Sequence, residues 1–455
     1  MGFALSILYF VTYYLSPPTI FGELAVAHVQ VIIAVIVTLI SIPALARSSI
    51  GKTPQSFALI GVSFTVFISS MVAAHWAGGA VQAFLSFVPN AFGYFLVCLY
   101  CDSMKKLKIL VASMLLVCLF VIVRGSIEIS QESPDAVAAL PGRASDYAIA
   151  MANDNGESFL RLKGQGIIND PNDFAQLIAC TIPLLFILWR PKNGFLNLIC
   201  VILPVCVLLI GEFLTHSRGG ILALVAILMV AARRRIGTVP AVLLAGGLLA
   251  GALALQFTGG RAISASAGED RTILWGIGMG MLKMHPLFGV GMGNFGDYAG
   301  GVTAHNSIVV CAAELGIFGL YFWSVFLFPT LRNALVIASP EKTSEGKPIE
   351  VEEGFFPAER VENEYIGKND VNRVGRLLLL SLVGFLVAGW FLSRAFVMTL
   401  YLLGGMVEVV FEMGLQRGML APRLPLLKVL LNSVGLAIFL LIVMYISLRI
   451  INLSH

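Results

Sequence analysis

Charge is scarce in this chain. Only 12% of its 455 residues are Asp, Glu, Lys or Arg, against roughly 25% in soluble domains, too few to face water all round. The residues that replace them are apolar: 58% of the chain is hydrophobic. These fall in repeated runs near 20 residues, the length that spans roughly 30 Å of hydrocarbon, so the solvent is lipid. The net charge of +4 gives no basis for a nucleic-acid partner. Metal-ligand patterns are missing as well. There is no HExxH and no Asp-x-Asp pair to hold a divalent ion, and the expected metal and cofactor complement is none. All seven cysteines lie in or beside apolar runs. Cys98-x-x-Cys101 has no second pair or nearby histidine to complete a site, and reads as two small lipid-buried residues. A basic n-region is absent too, so residues 3–16 read as a first membrane segment rather than a signal peptide.

What is present is a series of spans, at 3–16, 24–46, 56–76, 82–101, 107–125, 172–189, 195–214, 219–232, 238–257, 306–331, 376–393, 395–415 and 427–450. This predicts an all-α integral membrane protein of 12–13 transmembrane helices. Short basic turns orient it, because Lys and Arg are retained on the cytoplasmic side. They hold Arg47 and Lys52, then Lys105, Lys106 and Lys108, then Arg190 and Lys192, then Arg233, Arg234 and Arg235. The division that follows is 1–126, N-terminal helices; 127–171, an acidic periplasmic loop; 172–257, central helices including the Arg218 turn; and 258–305, a Gly-rich periplasmic loop. Then come 306–331, one helix; 332–375, a charged cytoplasmic loop whose stretch 341–370 reads as a linker; and 376–455, C-terminal helices. Two outer loops longer than 40 residues exceed what a connection needs, and such loops on a rigid scaffold are where chemistry concentrates.

The candidate residues share that outer side. The turn Thr215-His216-Ser217-Arg218-Gly219-Gly220 puts a cation at the end of a span. Arg218 reads equally as an arginine snorkelling to the headgroups and as an anion ligand beside glycines that admit close approach. Arg271 alone reads as a solvated loop residue; two such guanidiniums make a fork suited to a diphosphate. His285 and Pro286 lead into Gly289, Gly291, Gly293 and Gly296. No strand precedes these glycines, so a dinucleotide loop is rejected in favour of tight turns. His305, before Asn306 and a span holding Glu314, is either an interfacial or capping residue or a base poised near neutral pH. The Asp170-Pro171-Asn172-Asp173 cluster is expected to cap a helix rather than bind an ion. Mid-span charges suited to transport are few, chiefly Glu408 and Glu412.

The chain resembles the O-antigen ligase and O-antigen polymerase superfamily of bacterial membranes. The resemblance rests on Ser217-Arg218-Gly219, Arg271-x3-Trp275, His285-Pro286-Leu287-x-Gly289-Val290-Gly291-x-Gly293-x-Phe295, Ala304-His305-Asn306 and Ala313-Glu314-Leu315-Gly316. It is strongest over 210–325 and extends loosely to Lys163-Gly164 and Asp170–Ala175. It implies a GT-C-like bundle and a metal-independent, inverting glycosyltransferase in the bacterial cytoplasmic (inner) membrane, its active site facing the periplasm. The implied donor is a glycan on undecaprenyl diphosphate and the acceptor a lipid or polysaccharide hydroxyl. By the same resemblance Arg218 and Arg271 bind the diphosphate and His305 is the base. Ser217, Asn306, Glu314, His216 and His285 stand as supporting candidates. An extra C-terminal span and the 127–171 loop depart from the family pattern. A repeat-unit polymerase and a protein glycan ligase are alternatives of the same chemistry. A lipid-linked sugar transporter is the alternative of another class, and it calls for inverted repeats and broken helices, neither of which the sequence displays.

Overall fold

The structure, a computed structural model, describes residues 1–17, 28–74, 77–153, 155–255, 257–259, 265–339 and 367–453. Among these, ten helices are long and apolar enough to cross a membrane, and Gly2–Leu15 and Thr238–Ala252 are shorter apolar helices. With Arg218–Ile236, they fall on every span expected from the sequence. The protein is a multi-pass, all-α membrane protein. Helices suit this solvent because they satisfy their backbone groups internally. Their exposure varies with position. In Val29–Arg47 only 11% of the apolar window is buried, whereas in Met398–Gln416 all of it is. Val31, Ile32, Leu39 and Ile42 therefore offer their side chains to lipid, while Met398–Gln416 forms a core.

The chain divides into two compact units. The first comprises Met1–Ile42, Ser103–Ala262 and Arg376–Ala388. Its helices include Met104–Gln131, Pro171–Leu185, Gly194–Thr215, Arg218–Ile236 and Thr238–Ala254. The expected 127–171 loop is largely structured. Helix Met104–Gln131 runs past 125, a short helix covers Pro134–Ala138, and β1 (Ala148–Ala152) pairs antiparallel with β2 (Ser158–Leu162). Val137, Ala148, Ala150 and Leu160 bury a small core beneath this hairpin. Glu128, on the helix extension, accepts from the Tyr147 amide at 2.8 Å and from the Ser145 hydroxyl. A carboxylate read as part of an acidic loop thus docks the hairpin.

The second unit comprises Pro43–Asp102, Ile263–Gly375 and Gly389–His455. Its expected loop 258–305 contains a 20-residue helix, Ala265–Met284. Glycines at 276, 278 and 280 disguised it in the sequence, since Gly weakens helices. At Gly278 the missing side chain is required, because a Cβ there would lie 2.4 Å from the Val309 side chain. Helix Ser307–Ala338 outruns its expected end at 331, and Lys368–Gly389 begins before 376. Residues 340–366, most of the expected linker, and 24–27 of the second expected span lie outside the described residues. Glu408 and Glu412 are buried within Met398–Gln416, and both pair with Arg423. Gln55 and Asn333 also donate to Glu408, at 2.8 and 3.1 Å. These mid-span carboxylates are held in a fixed polar network, in which each charge has partners.

Candidate functional site

The candidate residues fall into two sets, one in each unit. In the first unit, helix Gly194–Thr215 ends and helix Arg218–Ile236 begins within three residues. His216 takes a left-handed backbone, φ 46°, which reverses the chain. Its ring lies edge-on to Phe159 and Phe213, and its Nδ1 is 3.1 Å from the Phe257 carbonyl. His216 is therefore a packing residue of the turn. Ser217 is the helix N-cap, accepting from the Gly220 amide at 3.2 Å as a short polar side chain does at that position. Its hydroxyl donates to Asn172 Oδ1 at 2.9 Å. Asp170 caps the helix Pro171–Leu185 by accepting from the Asn172 amide at 2.7 Å, as expected. Arg218 is the first residue of its helix and half-buried. Its guanidinium makes no hydrogen bond or ion pair among the described residues.

Arg161 was not singled out in the sequence. It is buried on β2, 5% exposed. Its Nε donates to the Thr215 carbonyl at 2.8 Å and its Nη2 to Asn172 Oδ1 at 3.1 Å. It thus holds the end of one helix and, through Asn172, the serine that starts the next. The signal lay in the sequence as a hairpin pattern: Ala148–Ala152 and Ser158–Leu162 flank an Asn155-Gly156 turn, and Asn-Gly marks hairpins.

In the second unit, Arg271 and Trp275 lie one turn apart on helix Ala265–Met284 and share a face. The Arg271 guanidinium stands 5.6 Å from the Phe391 ring centroid, a stacking geometry. Trp275 meets Trp390 edge to face at 5.8 Å and donates from Nε1 to the Ala304 carbonyl at 3.0 Å. His305 follows, half-buried, with φ 50°, a conformation uncommon outside glycine and enriched for Asn, Asp and His. Asn306 is the N-cap, accepting from the amides of Ile308 and Val309 at 2.9 and 3.1 Å and donating to the Trp390 carbonyl at 3.1 Å. The Ser307 hydroxyl donates to the Leu392 carbonyl and Thr303 bonds Ser393, each at 2.7 Å. The stretch around His305 is therefore anchored by its neighbours to residues 390–393. The capping role considered for His305 belongs to Asn306.

The glycine run has a structural purpose. Gly316 interrupts helix Ser307–Ala338 with φ 68°, ψ −164°, a conformation open essentially to glycine alone. Four backbone groups beside the break bond to the segment 286–291. The amides of Val290 and Gly291 donate to the carbonyls of Ala313 and Glu314, both at 3.0 Å. The Pro286 and Leu287 carbonyls accept from Ile317 and Phe318 at 2.8 and 3.3 Å. A broken helix is thus present, contrary to the sequence reading, and the chain's own atoms partner its exposed backbone. The buried Glu314 carboxylate accepts from the Phe295 amide at 3.4 Å, and its carbonyl accepts from Ser69 at 2.6 Å. His285 is exposed at the end of its helix. Glu314 fixes the glycine loop, and nothing in the geometry assigns His285 a part.

Residues 199–324 match the O-antigen ligase family. The matched stretch covers 126 of the 455 residues. It contains the Arg218 turn, Arg271, the glycine loop, the helix break and His305. No curated protein matches the chain. The chain is a multi-pass membrane protein whose central stretch is similar to the O-antigen ligase family.

Proposed function

We propose that this chain transfers a glycan from undecaprenyl diphosphate to an acceptor hydroxyl on the periplasmic side of the bacterial inner membrane, without metal or nucleotide. The acceptor oxygen attacks the anomeric carbon and its proton passes to His305. The bond from that carbon to the diphosphate oxygen breaks, the diphosphate leaves with the electron pair, and the configuration inverts. Arg218 and Arg271 supply positive charge where negative charge develops on the leaving group, the usual source of the largest catalytic gain. Planar guanidiniums suit phosphate oxygens better than ammonium does.

The observation that carries this reading is the setting of His305. A histidine in a left-handed conformation is held there by Trp275 on the preceding carbonyl and by the Asn306 cap, while the cap itself needs nothing from the imidazole. Backbone strain of this kind persists where the surroundings impose it, and it clusters at active sites. The supporting candidates Ser217, Asn306, Glu314 and His216 act as caps and packing around the three active groups.

The test is to incubate the purified protein with a lipid-linked oligosaccharide and candidate lipid and polysaccharide acceptors. Acceptor-linked glycan with inverted linkage is the expected product. Longer lipid-linked glycan would assign a polymerase using the same residues, and a glycosylated peptide the protein ligase. Movement of intact donor across a vesicle membrane without bond cleavage would replace transfer by transport.

A further inference from the structure

We propose that Arg161 is a positioning residue for Arg218, and that the β-hairpin exists in this chain to deliver it. The proposal rests on the reading of Arg218 as a ligand of the donor diphosphate. Three facts within the first unit carry it. Arg161 sits on β2, opposite Ile149 in the register, and is almost completely buried. Its Nε donates to the Thr215 carbonyl at the end of helix Gly194–Thr215, and its Nη2 donates to Asn172 Oδ1 on the neighbouring helix Pro171–Leu185. Asn172 Oδ1 is shared, because it also accepts from the Ser217 hydroxyl that caps the helix beginning at Arg218.

The consequence is geometric. A helix's last carbonyls and first amides must find partners, and here one guanidinium holds the end of the first helix directly and the start of the second through Asn172. Arg161 also places a cation at a helix C-terminus, where the dipole favours it. With both ends of the turn fixed, the Cα–Cβ direction of Arg218 is fixed, which removes the backbone's share of the ordering cost when its guanidinium binds. Lysine cannot substitute, since a single ammonium does not present two donors at the fixed angle of a guanidinium. Glu128, which accepts from Tyr147 and Ser145 at the hairpin's base, ties the hairpin to helix Met104–Gln131, so the arginine is delivered from a rigid mount.

The experiment uses the full chain in lipid nanodiscs with farnesyl diphosphate as probe and farnesyl monophosphate as control. Affinity and thermal midpoint are measured for the wild type and for Arg161→Lys, Asn172→Ala, Arg218→Ala and the double variant Arg161→Lys/Arg218→Ala. Arg161→Lys and Asn172→Ala should each weaken diphosphate binding about tenfold, the equilibrium equivalent of one lost charge-assisted hydrogen bond. The double variant should bind no more weakly than Arg218→Ala alone, because Arg161 acts through Arg218. Wild-type binding by Arg161→Lys and Asn172→Ala, with binding lost in Arg218→Ala, would overturn the proposal and leave the diphosphate reading standing. Unchanged binding in Arg218→Ala would remove that reading and the proposal with it. If binding and thermal midpoint fall together in both turn variants, and the losses add to that of Arg218→Ala, Arg161 is a general stabiliser and the proposal fails.

Discussion

The strained histidine offers a series in which stability and activity should part company. His305 sits at φ 50°, where a side chain costs an ordinary L-residue about 1–2 kcal/mol. Asparagine tolerates this region nearly as well as histidine, so His305→Asn should leave stability within about 0.5 kcal/mol, the usual range for a substitution away from special features. His305→Gly removes the steric strain but frees the unfolded chain, an entropic cost of about 0.5–1 kcal/mol, so the two nearly cancel. His305→Val places a β-branched residue in a left-handed conformation and should lose about 1–3 kcal/mol. The helix start is unaffected in all three, because Asn306 supplies the cap. Glycan transfer should nevertheless fall by about 10²–10⁴-fold in each, the value of a general base. Thermal midpoints in detergent and initial rates of transfer from a lipid-linked donor test both limbs. Should His305→Asn and His305→Gly transfer glycan at wild-type rates, with only the valine variant impaired, the imidazole is a packing group and the mechanism is wrong.

Gly316→Ala should leave little folded protein, since the alanine Cβ would lie 2.4 Å from the Leu287 carbonyl oxygen at a backbone conformation open to glycine; monodisperse protein with an unchanged thermal midpoint would mean that segment 286–291 does not occupy the break. Trp275→Phe keeps the ring against Trp390 but strands the buried Ala304 carbonyl, a loss of about 1–3 kcal/mol; denaturant midpoints check it, and a neutral result would remove the indole from the support of His305. Arg271→Lys should restore only part of the donor affinity lost in Arg271→Ala, because the ammonium neither stacks on Phe391 nor forks a phosphate; equal KM values for lysine and arginine would count against a diphosphate role. Burial holds the Lys163 ammonium below its ordinary pKa of 10.5, with Glu128 and Asp146 opposing. Between that lowered value and 10.5 the unfolded chain binds more protons, so stability should rise with pH over this window and the rise should flatten in Lys163→Gln; identical alkaline profiles of the thermal midpoint would refute it.

The spans were legible because their signal is length and hydropathy, which survive without knowledge of neighbours. Helix Ala265–Met284 was not, because Gly276, Gly278 and Gly280 depress helix propensity, and the reason for Gly278, its approach to Val309, exists only in three dimensions. The hairpin could have been found from its Asn-Gly turn and alternating strands, but its ten strand residues are a faint signal beside the apolar runs. Arg161 was invisible in kind. Its partners Asn172 and Thr215 lie 11 and 54 residues away, and no local pattern distinguishes it from a solvated arginine. The loop 390–393, to which the neighbours of His305 are anchored, falls inside the expected span 376–393, because Trp390, Phe391 and Leu392 read as apolar membrane residues.

The motif residues separate once each hydrogen bond has been followed to its partner. Ser217, Asn306 and Glu314 spend acceptor oxygens on backbone amides, and Gly289, Gly291 and Gly316 lie in or beside the seam at a helix break. A soluble enzyme could leave such groups to water. In a membrane each stranded amide or carbonyl costs several kcal/mol, so a chain that breaks a helix and turns sharply between two others must supply partners from its own sequence. Much of a membrane enzyme's motif should therefore be backbone repair, and the residues to test for chemistry are those that repair nothing. Among the described residues, Arg218 meets that criterion. At the next helix start Asn306, not His305, does the capping, and Arg271 lies over the Phe391 ring, so these two are tested beside it.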